Sequence, residues 1–379
     1  MPHISRNIPA LLRTPIGRKQ LLSRVYYYGW PLLSQVASLY RRTLARKTRI
    51  VTVVGSFGKT TTARAVVAAL GGQSPPDIQQ NAWSFVAHRL LHIRPHQRHA
   101  VIEVGIDGRG QMKAYGRMMR PDITIVTSIG SEHNRSLGTL KATRAEKSEM
   151  VRSLPQSGTA VLNGDDPNVR WMKKRTRAQV ITFGFNEMND MRASDVILDW
   201  PHGTRFKLHV DAQTHNLRIR LIGRHMVYPI LAAVAVALSE GFRLEQILPA
   251  LEALPPTPGR LQPMRLASGA YVLRDDYKST LETIEAALDV FSQIPAHRRI
   301  VVLGEVSEPP GSQAPSTDIS GNASPKSPQG LYSWGETSSA TPQALPVVGS
   351  RGMPLSTPTE VCSKRSRNSG TTSSPKMSR

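Results

Sequence analysis

A short loop rich in glycine and threonine restricts the fold of this chain more than any other feature. Residues 55–62 read Gly-Ser-Phe-Gly-Lys-Thr-Thr-Thr, after an apolar run at 50–54 and before a helical pattern at 60–70. Glycines let backbone N–H groups turn toward phosphate oxygens, and a helix N-terminus adds positive potential. The order of strand, loop and helix therefore predicts a phosphate-binding loop. The residues expected to contact a nucleotide are Gly55, Ser56, Gly58, Lys59, Thr60 and Thr61.

Two side chains of this loop carry distinct chemistry. Lys59 is expected to reach the β- and γ-phosphates of a nucleoside triphosphate, and the Thr60 hydroxyl to complete the ligand shell of Mg²⁺. Only two residues separate Gly55 from Gly58, so the loop is shorter than the pattern G-x-x-x-x-G-K-[ST]. The alternative is a glycine turn with a chance lysine, which the flanking strand and helix patterns disfavour.

The pattern around the loop indicates the fold class. Strand patterns cover residues 49–54, 100–104, 123–127, 160–163 and 180–183, and helical patterns cover 60–70 and 141–154. This alternation predicts an α/β fold with a P-loop and a mostly parallel sheet that has helices on both faces. Alternating runs at 195–210 and 217–222 predict an antiparallel edge. Helical patterns follow at 228–239 and 244–253, and runs at 272–276, 281–291 and 300–303 predict the start of a second α/β domain.

These patterns divide the chain into four parts. We expect a basic N-terminal arm at 1–48, an ATP-binding domain at 49–256, a partial Rossmann-like domain at 257–310 and a disordered tail at 311–379. About half of the tail is Ser, Thr, Pro or Gly, a composition that buries too little surface to fold. A natural tail and a frameshifted reading of the gene explain this composition equally well.

The charge of the chain indicates its partners. Lys and Arg number 49 against 27 Asp and Glu, a net charge of +22 that favours anionic partners. No carboxylate precedes Asp77, and the first 49 residues contain ten Lys or Arg and an aromatic group around Tyr28. Such an arm could lie on an anionic membrane surface. A solvated helical arm is favoured instead, because no clean amphipathic pattern persists across Pro15 and Pro31.

Other classes of protein are disfavoured by simpler observations. A single cysteine excludes an intrachain disulfide framework, and no apolar run is long enough for a membrane span. The N-terminal residues lack a secretory pattern, so a cytoplasmic protein is expected. A nucleic-acid-binding NTPase agrees with the charge, but basicity alone is a weak signal and no nucleic-acid-binding motif accompanies it.

Together with further segments, the loop resembles the Mur ligase family of ATP-dependent, peptide-forming ligases. The segments follow in the family's order, at residues 103–105, 120–133, 145–149, 163–166, 258–260 and 275–277. The resemblance implies a central ATPase domain, and an activity in which ATP phosphorylates a carboxylate and an amine then displaces phosphate. The implied partners are ATP, Mg²⁺, a carboxylate-bearing substrate and an amino acid or peptide, in bacterial cell-envelope biosynthesis.

The resemblance also implies roles for particular residues. Glu103 and His133 would join Thr60 in binding Mg²⁺, Arg260 would lie near the phosphates and Asp276 would contact the nucleotide. Catalytic roles would belong to Lys59, His133 and Lys147. The family lysine that matches Lys147 is carbamylated in several members. The alternative for Lys147 is an ordinary helix lysine that pairs with a glutamate.

The chain departs from the family pattern at both ends. Only 48 residues precede the first strand, where the family has a domain for the UDP-sugar, and the C-terminal domain is expected to be incomplete. An alternative function is therefore a nucleotide-binding module that has lost ligation.

Overall fold

The computed structural model describes residues 14–75, 78, 80–131, 137–304 and 330–334, without the side chains of 15–27 and 330–334. These residues fall into two compact units, 14–296 and 297–304 with 330–334. The helices of the first unit are α1 (Pro15–Arg42), α2 (Lys59–Ala69), α3 (Ser84–Leu91), α4 (Gln111–Met119), α5 (Leu140–Arg152), α6 (Pro167–Arg170), α7 (Val227–Ser239), α8 (Leu244–Glu252) and α9 (Leu281–Gln293). Short 3₁₀ turns lie at Trp171–Arg175 and Arg224–Met226. Each described helix is too short or too polar to cross a lipid bilayer.

The centre of the first unit is a single sheet of eight strands. The strands are β1 (Arg49–Val54), β2 (His99–Glu103), β3 (Ile123–Val126), β4 (Thr159–Asn163), β5 (Gln179–Gly184), β6 (Met191–Asp199), β7 (Gly203–Val210) and β8 (Gln213–Ile219). Their spatial order is β2-β1-β3-β4-β5-β6-β7-β8, with parallel pairing from β2 to β6 and antiparallel pairing from β6 to β8. The predicted α/β class, mostly parallel sheet and antiparallel edge are confirmed. The run at 195–210 is two strands joined by a turn, not one.

Side chains that alternate along the strands build a core on each face of the sheet. Val51 and Val53 face a core shared with α2, α7 and α8, whereas Ile50 and Val54 face a core shared with α1, α3, α4 and α5. Helix α7 is apolar on all sides, and every residue from Ile230 to Ala237 is fully buried. Such a helix is stable only in the interior of the domain. The predicted helices on both faces are confirmed.

Helix α1 differs from the arm expected from the sequence. The helix begins at Pro15, where no backbone donor is needed, and continues through Pro31. Pro15 therefore starts the helix, and Pro31 lies within it. Ala37 is fully buried, and Arg41 is only 7% exposed and donates to the carbonyl oxygens of Met119 and Arg120. The C-terminal end of this helix is thus packed into the domain and is not simply solvated.

The later strands pair differently from those of a parallel α/β unit. β9 (Gln262–Arg265) and β10 (Tyr271–Arg274) form an antiparallel hairpin within the first unit. In the second unit, β11 (Arg299–Leu303) pairs antiparallel with β12 (Gly330–Trp334). Residues 330–334 belong to the tail for which disorder is predicted, and the rest of that tail lies outside the described residues, as does the start of the arm.

A network of ion pairs ties the amino-terminal edge of the sheet to its helices. Asp122 accepts from the guanidinium groups of Arg41 at 3.0 Å and Arg49 at 3.3 Å. Glu240, at the end of α7, accepts from Arg49 at 2.7 Å and from His99 Nε2 at 3.0 Å. Burial alone would raise the pKa of Glu240, but the hydrogen bonds from Arg49 and His99 lower it overall.

We expect Glu240→Gln to lower the free energy of unfolding by about 1–2 kcal/mol at pH 7, since Arg49 is partly exposed and the pair is only partly desolvated. A carboxylate whose pKa is lowered by folding stabilises the protein above its unfolded pKa, and this stabilisation is lost as the pH falls through the folded pKa. The difference between wild type and variant should therefore shrink at pH 4 and below in urea unfolding. Glu285→Gln, at an exposed position on α9, is the matched control. An equal difference at both pH values would show that packing, not charge, accounts for the loss.

Candidate functional site

The carboxyl ends of the parallel strands meet at one edge of the sheet, where ligands bind in open α/β folds. A cavity of about 530 Å³ lies at this edge. The loop after β1 forms one wall, and Glu103 at the end of β2 and Thr127 after β3 contribute to the lining. The segment at 275–286 provides another wall, so the cavity lies entirely within the first unit.

The loop between β1 and α2 has the geometry of a phosphate cradle. Gly58 precedes the helix with a φ of 77°, a left-handed conformation that favours glycine. A Cβ on Gly55 would lie 2.0 Å from Thr127 Oγ1, so only glycine fits where the two loops approach. Phe57 N donates to Ser128 Oγ at 2.9 Å, which fixes the loop from the side of β3. Gly58 has no side chain to cap α2, which leaves its first N–H groups suited to an anion.

Two buried lysines converge on Ser56. Lys59 Nζ donates to the Ser56 carbonyl oxygen at 3.1 Å, and Lys147 Nζ donates to Ser56 Oγ at 3.0 Å. Ser56 Oγ also accepts from Gly130 N at 2.9 Å. Lys59 is 8% exposed and Lys147 only 1% exposed, so Lys147 is not a surface lysine of α5. Two lysines that meet at one loop can supply positive charge to a bound polyphosphate.

Glu103 and Thr60 form a pair of oxygens suited to a hard cation. Glu103 is 3% exposed; its Oε2 accepts from Thr60 Oγ1 at 2.8 Å and its Oε1 from Asn81 Nδ2 at 2.6 Å. Adjacent ligands in an octahedral Mg²⁺ shell lie about 2.9 Å apart, given metal–oxygen distances of about 2.0–2.1 Å. The two oxygens therefore fit such a shell. No cluster of three or more His, Cys, Asp or Glu side chains occurs among the described residues, and His133 lies outside them.

Beyond the loop, the cavity lining becomes aromatic and apolar. Phe183, Met226 and Tyr228 line this part of the cavity together with His225. Burial lowers the pKa of His225 to about 4, so its imidazole is neutral at pH 7. Burial also raises the pKa of the Tyr228 hydroxyl, which donates to Asp165 Oδ2 at 3.0 Å. A flat, uncharged group such as a nucleobase suits this environment better than a second anion does.

Two residues toward the C-terminal end of the chain, Arg260 and Asp276, are predicted to lie near the nucleotide. Of these two, only Arg260 lines the cavity. Arg260 lines the cavity, donates to the Lys278 carbonyl oxygen at 3.2 Å and stacks over Tyr277. Asp276 is instead exposed and pairs with Arg274 at 2.7 Å, whereas its neighbour Asp275 lines the cavity. Of this adjacent pair, Asp275 is therefore the carboxylate at the cavity, and burial raises its pKa.

Glu282 joins α9 to the loop after β3, a contact that the sequence did not predict. Its two carboxylate oxygens accept from Ser131 N at 2.8 Å and Ser131 Oγ at 2.7 Å. Burial alone would raise its pKa, but the bonds from Ser131 lower it overall. Ser131 directly precedes the segment that contains His133. Glu282 and Asn81 belong to none of the motif segments. The sequence indicated only that Glu282 lies in a helical run at 281–291, close to the motif segment at 275–277.

Comparison with known proteins relates the chain to one family. Residues 53–237 match the Mur ligase middle domain. The UDP-N-acetylmuramoyl-tripeptide–D-alanyl-D-alanine ligase of Escherichia coli K12 is 29% identical over 69% of this chain and 58% of its own length. The enzyme of the same name from Mycobacterium tuberculosis H37Rv is 30% identical over 79% of this chain and 62% of its own length. The chain thus spans about 60% of the length of these relatives.

Solved structures agree with this relationship. MurF from Acinetobacter baumannii is 26% identical, with a TM-score of 0.64 over 69% of this chain and 58% of that chain. A MurF ligase from Thermotoga maritima, crystallised in complex with ADP, has a TM-score of 0.62 over 69% of this chain and 61% of that chain. The latter is 21% identical and shows a shared fold alone.

Proposed function

Residues 53–237 form a Mur ligase middle domain, and from this premise we propose that the protein is an ATP-dependent ligase that joins a carboxylate to an amine. The observation that carries the proposal is the convergence of Lys59, Lys147 and the Thr60–Glu103 pair at one loop. This arrangement offers cations to the phosphates and oxygens to a metal within one cavity. The proposed role is in assembly of the bacterial cell envelope, as the names of the relatives suggest.

In the proposed reaction, a substrate carboxylate oxygen attacks the γ-phosphorus of ATP and the bond to ADP breaks, which gives an acyl phosphate. The nitrogen of the amine then attacks the acyl carbon, phosphate leaves and the nitrogen loses a proton. The products are an amide, ADP and inorganic phosphate. In both steps negative charge on the phosphate oxygens must be stabilised, and water must be kept from the acyl phosphate.

Each residue of the site has a proposed part in this chemistry. Lys59 and the first N–H groups of α2 hold the β- and γ-phosphates, and Arg260 holds oxygens from the other side of the cavity. Glu103 and Thr60 would hold Mg²⁺, with His133 as a further ligand inferred from the resemblance; the metal would neutralise charge on the phosphates.

Lys147 either contributes its ammonium charge beside Ser56 or, once carbamylated, acts as an anionic metal ligand. Asp276 remains a predicted nucleotide contact that would require its pair with Arg274 to open.

The substrates are proposed by class. The named relatives join a UDP-N-acetylmuramoyl tripeptide to D-alanyl-D-alanine, so we propose a peptide carboxylate and the amine of an amino acid or dipeptide for this chain. The proposal includes a cytoplasmic location, where ATP is available, and a peripheral contact with an anionic membrane surface. Nucleic acid is not part of it.

The test is release of phosphate from ATP and Mg²⁺ with UDP-N-acetylmuramoyl tripeptide and D-alanyl-D-alanine, each omitted in turn. We expect release to require both substrates and to equal the amount of amide found by mass spectrometry. Lys59→Ala, assayed in parallel, measures the background of contaminating ATPases. ATP binding without release for any carboxylate and amine pair would contradict ligation and favour a nucleotide-binding module.

A further inference from the structure

Helix α1 presents an apolar surface to solvent on the side opposite its packed face. Tyr28, Leu32, Val36 and Leu39, which we call the outer stripe, are 76%, 69%, 46% and 63% exposed. Their spacing of four, four and three residues places them along one side of the helix. Large apolar side chains aligned in this way on a surface mark an interaction site more often than scattered ones do.

The opposite side of α1 explains why the outer stripe points outward. Trp30, Leu33 and Tyr40 pack against the core shared with α3 and α4, and Ala37 is fully buried. Trp30 makes edge-to-face contacts with Trp83 and Tyr115. These contacts fix the rotation of the helix about its axis, so the outer stripe cannot turn into the core without breaking them.

Exposed cations follow the outer stripe at the end of α1 and lie along the neighbouring helix α4. Arg41 bonds to the carbonyl oxygens of Met119 and Arg120, so the ends of α1 and α4 are in contact. The exposed cations at the end of α1 and along α4, which we call the basic rim, are Arg42, Arg46, Lys47, Lys113, Arg117 and Arg120. None of the six forms an ion pair with any residue that the structure describes. The nearby carboxylate Asp122 is already paired with Arg41 and Arg49.

We propose that the outer stripe and the basic rim form a docking surface for an anionic lipid bilayer. The apolar side chains enter the boundary between headgroups and acyl chains while the cations contact lipid phosphates, as in interfacial amphipathic helices. This deepens the peripheral contact included in the proposed function, and it requires neither ATP nor ligation.

Charge and apolarity together favour a bilayer over other occupants. A nucleic acid would satisfy the basic rim but leave the outer stripe in water. A second copy of the chain would cover the outer stripe, but residues 15–42 of α1 contain no carboxylate that could pair with the basic rim of a partner copy. An anionic bilayer satisfies both features at once.

The test is co-sedimentation of the full chain, without ATP, with vesicles of phosphatidylcholine alone or mixed with phosphatidylglycerol. We expect binding to the mixed vesicles only, weakened by salt because the rim acts through charge. The double variant Leu32→Gln/Leu39→Gln should reduce binding at least about tenfold, because both side chains leave the lipid phase. Met188→Gln/Ile197→Gln, which changes two exposed apolar residues elsewhere, should bind like wild type.

Further measurements distinguish the other occupants. Arg42→Gln/Arg46→Gln/Lys47→Gln should abolish the preference for phosphatidylglycerol while light scattering shows an unchanged mass. Unchanged vesicle binding by Leu32→Gln/Leu39→Gln would overturn the proposal. A wild-type dimer that Leu32→Gln/Leu39→Gln dissociates would assign the surface to a second copy. If single-stranded RNA displaces the protein from vesicles and Leu32→Gln/Leu39→Gln has no effect on binding, the surface would be assigned to nucleic acid. ATP titration of each variant checks its fold and tests the nucleotide site separately.

Discussion

Replacing Lys59 with alanine is expected to raise the dissociation constant for ATP at least about a hundredfold in titration calorimetry with Mg²⁺. In the proposed complex the ammonium group contacts the β- and γ-phosphates, and each hydrogen bond to a charged group contributes about 1.5–3 kcal/mol. Loss of two such bonds corresponds to a factor of about a hundred or more in affinity. Lys59 lines the cavity, is nearly buried and is bonded to the Ser56 carbonyl oxygen, so its ammonium group is held at the phosphate loop.

Lys113→Ala provides the matched control, since Lys113 is an exposed lysine on α4, away from the cavity lining. It should bind ATP like wild type. Circular dichroism of Lys59→Ala must match wild type, because removal of the bond to Ser56 could disturb the loop. If folded Lys59→Ala binds ATP as tightly as wild type, the loop is a glycine turn with a chance lysine, and the phosphate-site assignment fails.

The segment from β1 to α2 could be predicted from sequence because its determinants are local. An apolar run, two glycines and a helical pattern follow one another, and the predicted strand at 49–54 matches β1. The helix begins at Lys59, one residue before the predicted start. Strand bounds along the parallel sheet agree to within one residue for similar reasons, because most residues of these strands are buried and apolar.

Elements that depend on tertiary packing could not be predicted in this way. The helical pattern of α4 is interrupted by Gly116, whose low propensity disfavours a helix. In the structure, a Cβ at Gly116 would lie 2.7 Å from Ser153 Oγ, so the glycine allows close approach to the end of α5. Pro31 is likewise accommodated within α1, where packing of its carboxyl-terminal half outweighs the local cost.

The proximity of the candidate site residues could be predicted where these residues belong to motif segments. Lys59, Thr60, Glu103 and Lys147 converge as expected, because the carboxyl ends of parallel strands meet. Which of two adjacent carboxylates faces the cavity depends on the backbone beyond β10, and the structure favours Asp275 over the predicted Asp276.

Contacts that bring distant parts of the chain to the site could not be predicted from the sequence. Glu282 lies 151 residues from Ser131 in sequence, and neither residue alone indicates the contact. Only the folded chain brings α9 to the loop after β3.

Glu103→Gln is expected to raise the Mg²⁺ concentration needed for half-maximal ATP-dependent phosphate release at least about tenfold and to lower the maximal rate about a hundredfold. Glutamine keeps the size of the side chain and can accept from the Thr60 hydroxyl. It removes the negative charge, however, and a neutral amide is a weaker ligand for a hard cation. The variant therefore separates metal binding from the packing role of Glu103 beside Asn81.

Calorimetry provides a readout that does not depend on turnover. Mg²⁺ should tighten ATP binding to wild type and to Glu187→Gln, a control at a position that is 89% exposed, but much less to Glu103→Gln. Without Mg²⁺ and with a chelator present, all three proteins should bind ATP equally. If Glu103 only anchors Thr60 and Asn81, the variant will instead bind ATP more weakly under both conditions and keep the wild-type response to Mg²⁺. That result would leave Thr60 without its proposed metal partner and would move the metal site to residues outside this pair.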